Sequence, residues 1–451
     1  MERALLIRIA LLLLACLSVA QAQTSSGDVN LDRLAQAVSA INENQLPQAE
    51  ELLNSVLASS RNDADALNLL GVVRAKQDRV ADAERLFRRA LASLPSHVGA
   101  HINLAELLLT HDRSAEAMPI LLRAYKLAPT RPEINLNLAT LYIAKRDYAQ
   151  ANEHLRQVPP EAFNYDYYLL MARSSIGLKQ YDKAEEYLTS ALKLKPDDVA
   201  TLRALARVAR ATGNFEKALS HLVQARRLVP GSPGVLYDFG VTTLQMGLVL
   251  DALPVFERLH NDYPREPAYL YGLAAAHWTK GEVAETTRLM TNYTTLQPRD
   301  ASGWYLLGAA LLRQERTADA QAALQRSLSL KPDADTDYLL GVCFEKAGNR
   351  AEAMTVYRRV VKSSPNHAAA HAALGAAYRE AGNFADARTE LERAVELDTN
   401  DLRANYQLGL VYAKLGHADE AKKMFDRADE LRKRQHEQER IILKLIDEPQ
   451  P

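Results

Sequence analysis

Residues 63–97 read DADALNLLGVVRAKQDRVADAERLFRRALASLPSH, and this stretch decides the fold. Its apolar residues recur at intervals of three and four, stop at the polar segment KQDR, resume, and end before Pro95. This spacing is typical of amphipathic helices, and a proline ring cannot continue a helix. The stretch therefore predicts two antiparallel helices joined by a short turn.

A small residue marks the same point of this pattern along most of the chain. It recurs every 34 residues, with two intervals of 33, at Gly71, Ala105, Ala139, Ala172, Ala206, Gly240, Ala274, Gly308, Gly341, Gly375 and Gly409. A weaker copy surrounds Ala37 and Ala49. The intervals predict about twelve helix-turn-helix units over residues 30–435. We number each repeat so that the recurring small residue is its position 8.

The helix pairs cannot bury their apolar faces alone. We expect each pair to stack on its neighbours, which gives an all-α, right-handed α-solenoid. The small residues at position 8 mark where two backbones approach closely, because a larger side chain there would overpack the contact.

Residues 370–398 read AHAALGAAYREAGNFADARTELERAVELD, with Leu374, Gly375, Tyr378 and Ala387 at the spacing of a known motif. In this pattern the chain resembles the tetratricopeptide repeat family. The resemblance implies that the first helix of each pair lines a concave groove, in which extended peptides or partner helices lie.

Two departures from the repeat pattern affect second helices. Thr286 and Tyr293 replace the two usual alanines, which predicts looser packing in that repeat. Pro119 and Pro254 occupy one shared position, where a proline either bends the helix or shifts its start. We favour a shifted start.

The N-terminus reads as an export signal. Arg3 precedes an apolar stretch too short to span a bilayer comfortably, and a small-x-small site ends at Ala22. The alternative is a lipoprotein, since Leu13 to Cys16 resemble a lipobox with Cys16 as the acylated residue. We expect an exported protein that is periplasmic or associated with the cell envelope. It would contact a membrane only through the export signal or a lipid anchor at Cys16.

The C-terminal stretch continues the last second helix beyond the repeats. Its charged residues are typical of a solvated cap, and Ile441, Ile442 and Leu445 are expected to fold back on the final apolar face. A coiled coil is the alternative, and the oligomeric state stays open. The predicted domains are a signal peptide (1–22), a linker (23–29), the repeat solenoid (30–435) and a capping extension with a tail (436–451).

A cationic stripe lies on one first helix. Arg203, Arg207 and Arg210 are spaced by four and three residues, so their side chains share one helix face, and Arg173 precedes them in the adjacent repeat. These arginines are candidates for binding an acidic segment of a partner. The alternative is internal pairing with Asp238 or Asp166.

Two further sets of residues are predicted to reach the same surface. An amide can donate to and accept from an extended peptide backbone, and tyrosine offers a large apolar face with a hydroxyl group. The asparagines are Asn68, Asn103 and Asn137, and the tyrosines are Tyr237, Tyr271, Tyr305, Tyr338 and Tyr406. Both residue types are common at these positions in the family that the chain resembles, so a structural role is the alternative.

Nothing in the sequence indicates catalysis. It has no phosphate-binding glycine loop, no HExxH motif, no nucleophile elbow and no pair of cysteines beyond the predicted signal. His97 and His101 are spaced to share a metal, yet such a pair is usually part of a helix surface. We expect neither an enzyme nor a cofactor or metal site. The formal net charge of −1 gives no overall field that would attract nucleic acid.

The preferred hypothesis is an exported scaffold or adaptor for protein–protein interaction, which binds an extended acidic peptide in its groove. One alternative is binding of a carbohydrate or cell-wall polymer through the tyrosines. Another is a structural subunit of an envelope export or assembly complex.

Overall fold

A computed structural model describes residues 25–447, with side-chain surroundings for residues 29–434. Within this range the chain forms twenty-four α-helices and a 3-10 turn at Pro160–Ala162, and no strand. The first twelve are α1 (Ser25–Asn42), α2 (Leu46–Ser59), α3 (Ala64–Lys76), α4 (Val80–Ser93), α5 (Val98–Thr110), α6 (Ser114–Leu127), α7 (Pro132–Ala144), α8 (Tyr148–Leu155), α9 (Tyr165–Gly177), α10 (Tyr181–Leu194), α11 (Val199–Ala211) and α12 (Phe215–Leu228). The others are α13 (Pro233–Gln245), α14 (Val249–Asp262), α15 (Pro267–Lys280), α16 (Val283–Leu296), α17 (Ala301–Arg313), α18 (Thr317–Leu330), α19 (Ala334–Lys346), α20 (Arg350–Ser363), α21 (Ala368–Glu380), α22 (Phe384–Leu397), α23 (Leu402–Leu415) and α24 (Ala418–Asp447).

The chain divides into two compact units, with the boundary after Asp238 inside α13. In the N-terminal unit, each odd-numbered helix from α1 to α11 packs against the even-numbered helix that follows it, and each pair packs against the next pair. Consecutive first helices from α1 to α9 also contact one another directly. A continuous layer of first helices therefore runs through this part of the unit.

The C-terminal unit repeats the arrangement. Helices α15 to α24 pack as successive pairs, and first helices contact each other at α17 with α19 and at α21 with α23. The predicted all-α architecture of about twelve helix pairs in series is confirmed.

Most first helices begin at a side-chain cap. The Asp63 carboxylate accepts a hydrogen bond from the Ala66 backbone N–H at 2.8 Å, and Asp198 does the same for Thr201 at 2.6 Å. A short side-chain oxygen at this place satisfies a backbone donor that has no partner within the helix. The caps thus fix where each first helix starts.

Close backbone approach explains the small residue at position 8. A Cβ atom added to Gly71 would lie 2.6 Å from Cε1 of Phe87, whose ring is fully buried between α3 and α4. A larger residue at position 8 would displace this ring from the core.

The turn between the two helices of each pair contains one residue with a left-handed backbone conformation. In all twelve described pairs the residue fifteen places into the repeat has a φ between 58° and 86°. Six of these residues are glycines, and the others are Asn44, Asp78, Asp112, Arg146, Lys179 and Glu315. Residues with a Cβ are strained in this conformation, so the turns differ in intrinsic stability.

The predictions for the irregular second helices are wrong. Helix α6 begins at Ser114 and contains Pro119, and α14 begins at Val249 and contains Pro254, so neither proline shifts a helix start. The expected loose packing around Tyr293 is also absent. Its ring is largely buried against Gly303, where a Cβ would lie only 2.6 Å away.

The predicted signal peptide and Cys16 lie outside the described residues. Helix α1 begins at Ser25, inside the segment predicted as a linker, and α24 runs without interruption to Asp447. The side chains of Ile441, Ile442 and Leu445 lie outside the described part. Between residues 25 and 447, no helix has the length and apolar character needed to cross a membrane.

Candidate functional site

A buried carboxylate holds the cationic stripe of α11. Asp238 on α13 is 2% exposed, and its Oδ2 accepts a hydrogen bond from Nε of Arg203 at 2.7 Å. The Arg203 side chain is itself 17% exposed. Burial of either charge alone would be costly, so the two side chains stabilise each other. The predicted internal pairing with Asp238 is confirmed.

A glycine makes this pairing possible. The guanidinium of Arg203 lies over Gly234 near the start of α13, where a Cβ would come within 2.5 Å of Nη1. A residue with a Cβ at this place would force the guanidinium to shift. The local sequence therefore positions Arg203 for a structural contact rather than for free exposure.

The other two arginines of the stripe are less constrained. Arg207 is 55% exposed and reaches both oxygens of Asp238 at 3.3 Å. Arg210 is half-buried and donates to the Asp238 backbone carbonyl at 3.4 Å. Burial lowers the pKa of the Arg210 guanidinium, and the Asp238 charge partly opposes this shift. Two guanidinium groups therefore share one carboxylate, and the third bonds the backbone carbonyl of the same residue.

Arg173 on α9 completes the predicted cationic set. It occupies the place on its helix that Arg207 occupies on α11, and it is exposed. Arg173 makes no side-chain hydrogen bond or ion pair with another residue of the described range. The alternative partner Asp166 is exposed and likewise forms no ion pair in that range. We call Arg173, Arg207 and Arg210 the cationic surface.

The predicted asparagines bond across neighbouring first helices. Nδ2 of Asn103 on α5 donates to Oδ1 of Asn68 on α3 at 2.9 Å. Nδ2 of Asn137 on α7 donates to Oε1 of Glu106 on α5 at 3.3 Å. Asn68 and Asn137 are buried. These amides therefore join repeats, and only part of their hydrogen-bonding capacity is left for a ligand.

Glu106 is a residue of this surface that the sequence analysis missed. Burial raises its pKa to about 7, while the hydrogen bond from Asn137 acts in the opposite direction. The nearby charge of Glu133 raises the pKa further. A carboxyl group on the first-helix layer thus changes charge close to neutral pH. Its place in the repeat could have pointed to this surface, because Glu106 directly follows the small residue Ala105.

Three of the five predicted tyrosines contact an aromatic ring of their own second helix. The ring centroid of Tyr271 lies 5.2 Å from that of Tyr293, Tyr338 lies 5.9 Å from Tyr357, and Tyr406 lies 5.7 Å from Phe425. Burial raises the pKa of Tyr338, as it does for Tyr305. Tyr237 is also half-buried. An aromatic face engaged in such a pair is less available to a sugar ring.

The histidine pair on α5 does not converge on a metal. Nδ1 of His97 caps the helix by accepting from the Ala100 N–H at 3.1 Å, and its Nε2 lies 3.1 Å from Asp65. His101 bonds the carbonyl of Pro95 instead, at 3.0 Å. Within the described range, no group of three or more His, Cys, Asp or Glu side chains is placed to hold a metal ion.

The chain is similar to several solved structures. The P58(IPK) TPR domain is 17% identical with a TM-score of 0.37, and the match covers 79% of this chain and 99% of that one. Pseudomonas aeruginosa pilF is 23% identical with a TM-score of 0.43, covering 47% and 97%. Yeast Tom70 is 16% identical with a TM-score of 0.42, covering 90% and 93%. At these TM-scores the similarities carry no argument about function. A search of curated proteins found no match.

Two family models, both described as tetratricopeptide repeat, match successive stretches of the chain. One matches residues 34–96, 74–132, 290–335 and 305–368, and the other matches 112–174, 175–236, 344–405 and 378–439. Together they cover residues 34–236 and 290–439, well over half of the 451 residues. With its twelve described helix pairs, the chain belongs to the tetratricopeptide repeat family, whose fold is a scaffold for protein–protein interaction.

Proposed function

We propose that the protein is a non-enzymatic scaffold that binds an extended acidic segment of a partner protein at the cationic surface. One observation supports this proposal above the others. Arg203 and Arg207 share the buried carboxylate of Asp238, Arg210 bonds only its backbone carbonyl, and Arg173 has no partner in the described range, so positive charge is left over on α9 and α11.

Arg203 and Arg207 have different roles in this proposal. Arg203 is mostly buried and its Nε is used by Asp238, so it holds α11 and α13 together. Arg207 keeps 55% of its side chain exposed, and its longer contacts with Asp238 leave its guanidinium able to turn toward a ligand. A carboxylate of the partner would form a charge-assisted hydrogen bond with Arg207.

Helix packing supports a preorganised surface. First helices contact one another from α1 to α9, α11 packs against α10 and α12, and hydrogen bonds such as the one from Asn103 to Asn68 join neighbouring repeats. A ligand that binds a rigid surface loses less free energy to ordering of the protein. An extended peptide would therefore meet side chains from several repeats at fixed spacing.

A carbohydrate ligand receives less support from the geometry. Tyr271, Tyr338 and Tyr406 each contact an aromatic ring of their own second helix. The role as a structural subunit would use other surfaces and does not need the cationic surface. Both remain alternatives to the acidic peptide.

The test uses a short labelled peptide that alternates Glu with Ser, and a second peptide with Gln in place of Glu. The full chain should bind the first peptide, and the affinity should fall as salt is added. The double variant Arg173→Gln, Arg207→Gln should weaken this binding about tenfold, which corresponds to about 1.4 kcal/mol.

A matched control removes two exposed arginines from second helices of the same unit. Arg85→Gln in α4 and Arg227→Gln in α12 change the net charge by the same amount but lie off the first-helix layer. Equal losses in the two double variants would contradict a local site. Equal binding of the Glu and Gln peptides would contradict the acidic ligand and leave the scaffold role standing.

We also propose that the protein is exported to the periplasm or cell envelope, on the strength of the N-terminal sequence. Mass spectrometry of the chain expressed in a bacterium tests this. A mature N-terminus at Gln23 supports a cleaved signal, and a lipidated Cys16 supports the lipoprotein alternative. An intact Met1 in a cytoplasmic fraction would contradict export.

A further inference from the structure

A cavity of about 340 Å³ lies between α4, α5 and α6 in the N-terminal unit. Two cationic side chains, Arg88 and Arg123, and the imidazole of His101 line it together with Leu91, Leu104 and Ile120. It is formed mainly by second helices and by residues of α5 that face them, so it is separate from the cationic surface. The proposed function does not use it.

His101 is buried in the wall of this cavity with one nitrogen unused. The residue is 4% exposed, and its Nε2 bonds the backbone carbonyl of Pro95 at 3.0 Å. A carbonyl oxygen only accepts, so Nε2 carries the proton. Nδ1 is shielded from solvent and has no hydrogen-bond partner. A buried polar atom without a partner is rare, and it calls for an explanation.

The two arginines of the cavity differ in their partners. Arg88 on α4 forms ion pairs with Glu84 and, at 3.8 Å, with Glu116. Arg123 on α6 forms no ion pair or side-chain hydrogen bond with any residue of the described range. Burial lowers the pKa of His101, and the positive charge of Arg123 lowers it further.

A second repeat shows what normally satisfies this histidine. Helices α21 and α22 match α5 and α6 end for end, and His371 takes the place of His101. Nε2 of His371 likewise bonds a proline carbonyl, that of Pro365 at 3.1 Å. Its Nδ1 lies 2.6 Å from a carboxylate oxygen of Glu390, which is 19 residues farther along the chain. In the α5–α6 repeat, Ile120 occupies the position that corresponds to Glu390.

A third repeat shows one way in which the arginine is satisfied. In α19 and α20, which also match α5 and α6 end for end, Arg359 takes the place of Arg123 and Asp337 takes that of His101. The guanidinium holds the carboxylate of Asp337 through two contacts of 2.7 and 2.6 Å. An arginine at this place can therefore reach the residue in the first helix, whereas Arg393, at the same place in α22, bonds Glu396 and Asn366 instead.

We propose that the cavity between α4, α5 and α6 is a binding site for a small monocarboxylate with a short apolar chain. Its carboxylate takes the place beside Nδ1 of His101 that the Glu390 side chain fills beside His371, and Arg123 pairs with it as Arg359 pairs with Asp337. Arg88 adds positive charge at the rim, and Leu91 and Leu104 contact the apolar chain.

One proton accompanies binding. A carboxylate accepts hydrogen bonds, and Nδ1 of the neutral imidazole also accepts, so the two meet only when Nδ1 is protonated. The proton comes from solvent, and His101 becomes an imidazolium that donates from Nε2 to Pro95 and from Nδ1 to the ligand. The other charged or titratable groups near the ring are Arg88 on α4, His97 on α5 and Arg123 on α6.

The test follows the histidine signals of the full chain by NMR during addition of butyrate. The signal that disappears in His101→Asn identifies the residue. Butyrate should shift this signal in a saturable way and raise the pKa of His101, because a carboxylate stabilises the protonated ring. Butyramide has a similar shape without the charge, and it should bind at least about tenfold more weakly.

Three variants separate the site from general effects. Ile120→Glu places a carboxylate as in the α21–α22 repeat, so butyrate binding should fall about tenfold while the pKa of His101 rises without ligand. Arg123→Gln should weaken binding by a similar factor. His101→Asn should fold, because Asn135 at the same place in α7 bonds the Pro129 carbonyl at 2.7 Å, and it should also lose binding.

Three results would overturn the proposal. One is the absence of a saturable shift of the His101 signal. Another is unchanged butyrate affinity in the folded Ile120→Glu and Arg123→Gln variants. The third is binding of inorganic phosphate as tightly as butyrate, because the site would then select charge alone rather than a carboxylate with an apolar chain.

Discussion

Asp238 receives the Nε–H of Arg203 at 2.7 Å and also contacts Arg207 at 3.3 Å, so one buried carboxylate holds a structural arginine and an exposed one. We predict opposite effects of Asp238→Asn on stability and on ligand binding. The variant leaves Arg203 without its countercharge, which should destabilise α11 by up to about 3 kcal/mol, the low end for a broken buried pair. Binding of the acidic peptide should strengthen, because Arg207 loses its competing carboxylate.

Amide hydrogen exchange in α11 and peptide titration measure these two effects. Weaker peptide binding in a folded Asp238→Asn protein would mean that Asp238 orients the arginines for the ligand instead of competing with it.

Arg203→Gln and Arg207→Gln should separate the two arginines. The first change removes a mostly buried charge and the shortest ion pair of the buried Asp238 carboxylate, so hydrogen exchange in α11 should accelerate strongly. The second change removes an exposed contact, so it should alter the free energy of unfolding by less than about 1 kcal/mol. It should nevertheless weaken binding of the acidic peptide. A reversed pattern would show that Arg207 is the structural residue.

Glu106 should make the N-terminal unit less stable as the pH rises toward neutral. Its pKa in the folded chain is about 7, above the ordinary value of 4.5, so the folded state holds an extra proton between these values. Stability from this group is therefore full below about pH 4.5 and is lost as the pH rises through 7.

The Glu106→Gln variant stays neutral at every pH, and Asn137 can still donate to its amide oxygen. The melting temperature of the variant should rise relative to that of the natural chain as the pH increases from 5 to 8. A difference that does not change with pH would show that Glu106 titrates normally.

The left-handed turn residues predict a pair of opposite stability changes. Lys179 has a φ of 58°, and Lys179→Gly should stabilise the protein by about 0.5–1 kcal/mol, because relief of Cβ strain exceeds the added freedom of the unfolded chain. Gly348 has a φ of 83°, and Gly348→Ala should destabilise it by about 1 kcal/mol. Urea unfolding measures both, and destabilisation by Lys179→Gly would show that the lysine side chain contributes a contact of its own.

Cys343 should be inert in the folded protein. Its side chain is fully buried in α19, and burial raises its pKa to about 11, so the reactive thiolate is scarce at neutral pH. In a Cys16→Ser variant it is the single thiol of the chain. A disulfide reagent such as dithionitrobenzoate should react with it only as α19 opens, and immediate reaction without denaturant would contradict the packing.

The sequence predicts the repeat architecture well because the same residue pattern occurs in every repeat. A close contact such as that between Gly71 and Phe87 recurs in the five other pairs that have glycine at position 8, so the 34-residue period reveals it. The pairing of Asp238 with the arginines was predictable as an alternative, since one repeat separates the two helices. Whether an arginine pairs internally or stays exposed depends on its burial. Gly234 leaves room for the guanidinium of Arg203 beside it.

Contacts between side chains of different repeats were less predictable. The helical wheel places Asn103 on the exposed face, yet it gives no direction for the amide, which turns toward Asn68. The same holds for Tyr293, whose size suggests poor packing until the opposing Gly303 of the next repeat is known. The unpartnered Nδ1 of His101 stands out only by comparison with His371 and Glu390 in three dimensions.

The end-for-end match of α5 and α6 with α21 and α22 bears on how such a chain evolves. Recombination between the two DNA segments would exchange whole modules without disturbing a helix boundary, and a cap such as His97 would be replaced by its counterpart His367. A new binding specificity then requires only a single substitution in a repeat whose helix boundaries are unchanged. The isoleucine that stands where another module has a glutamate is a candidate for such an event.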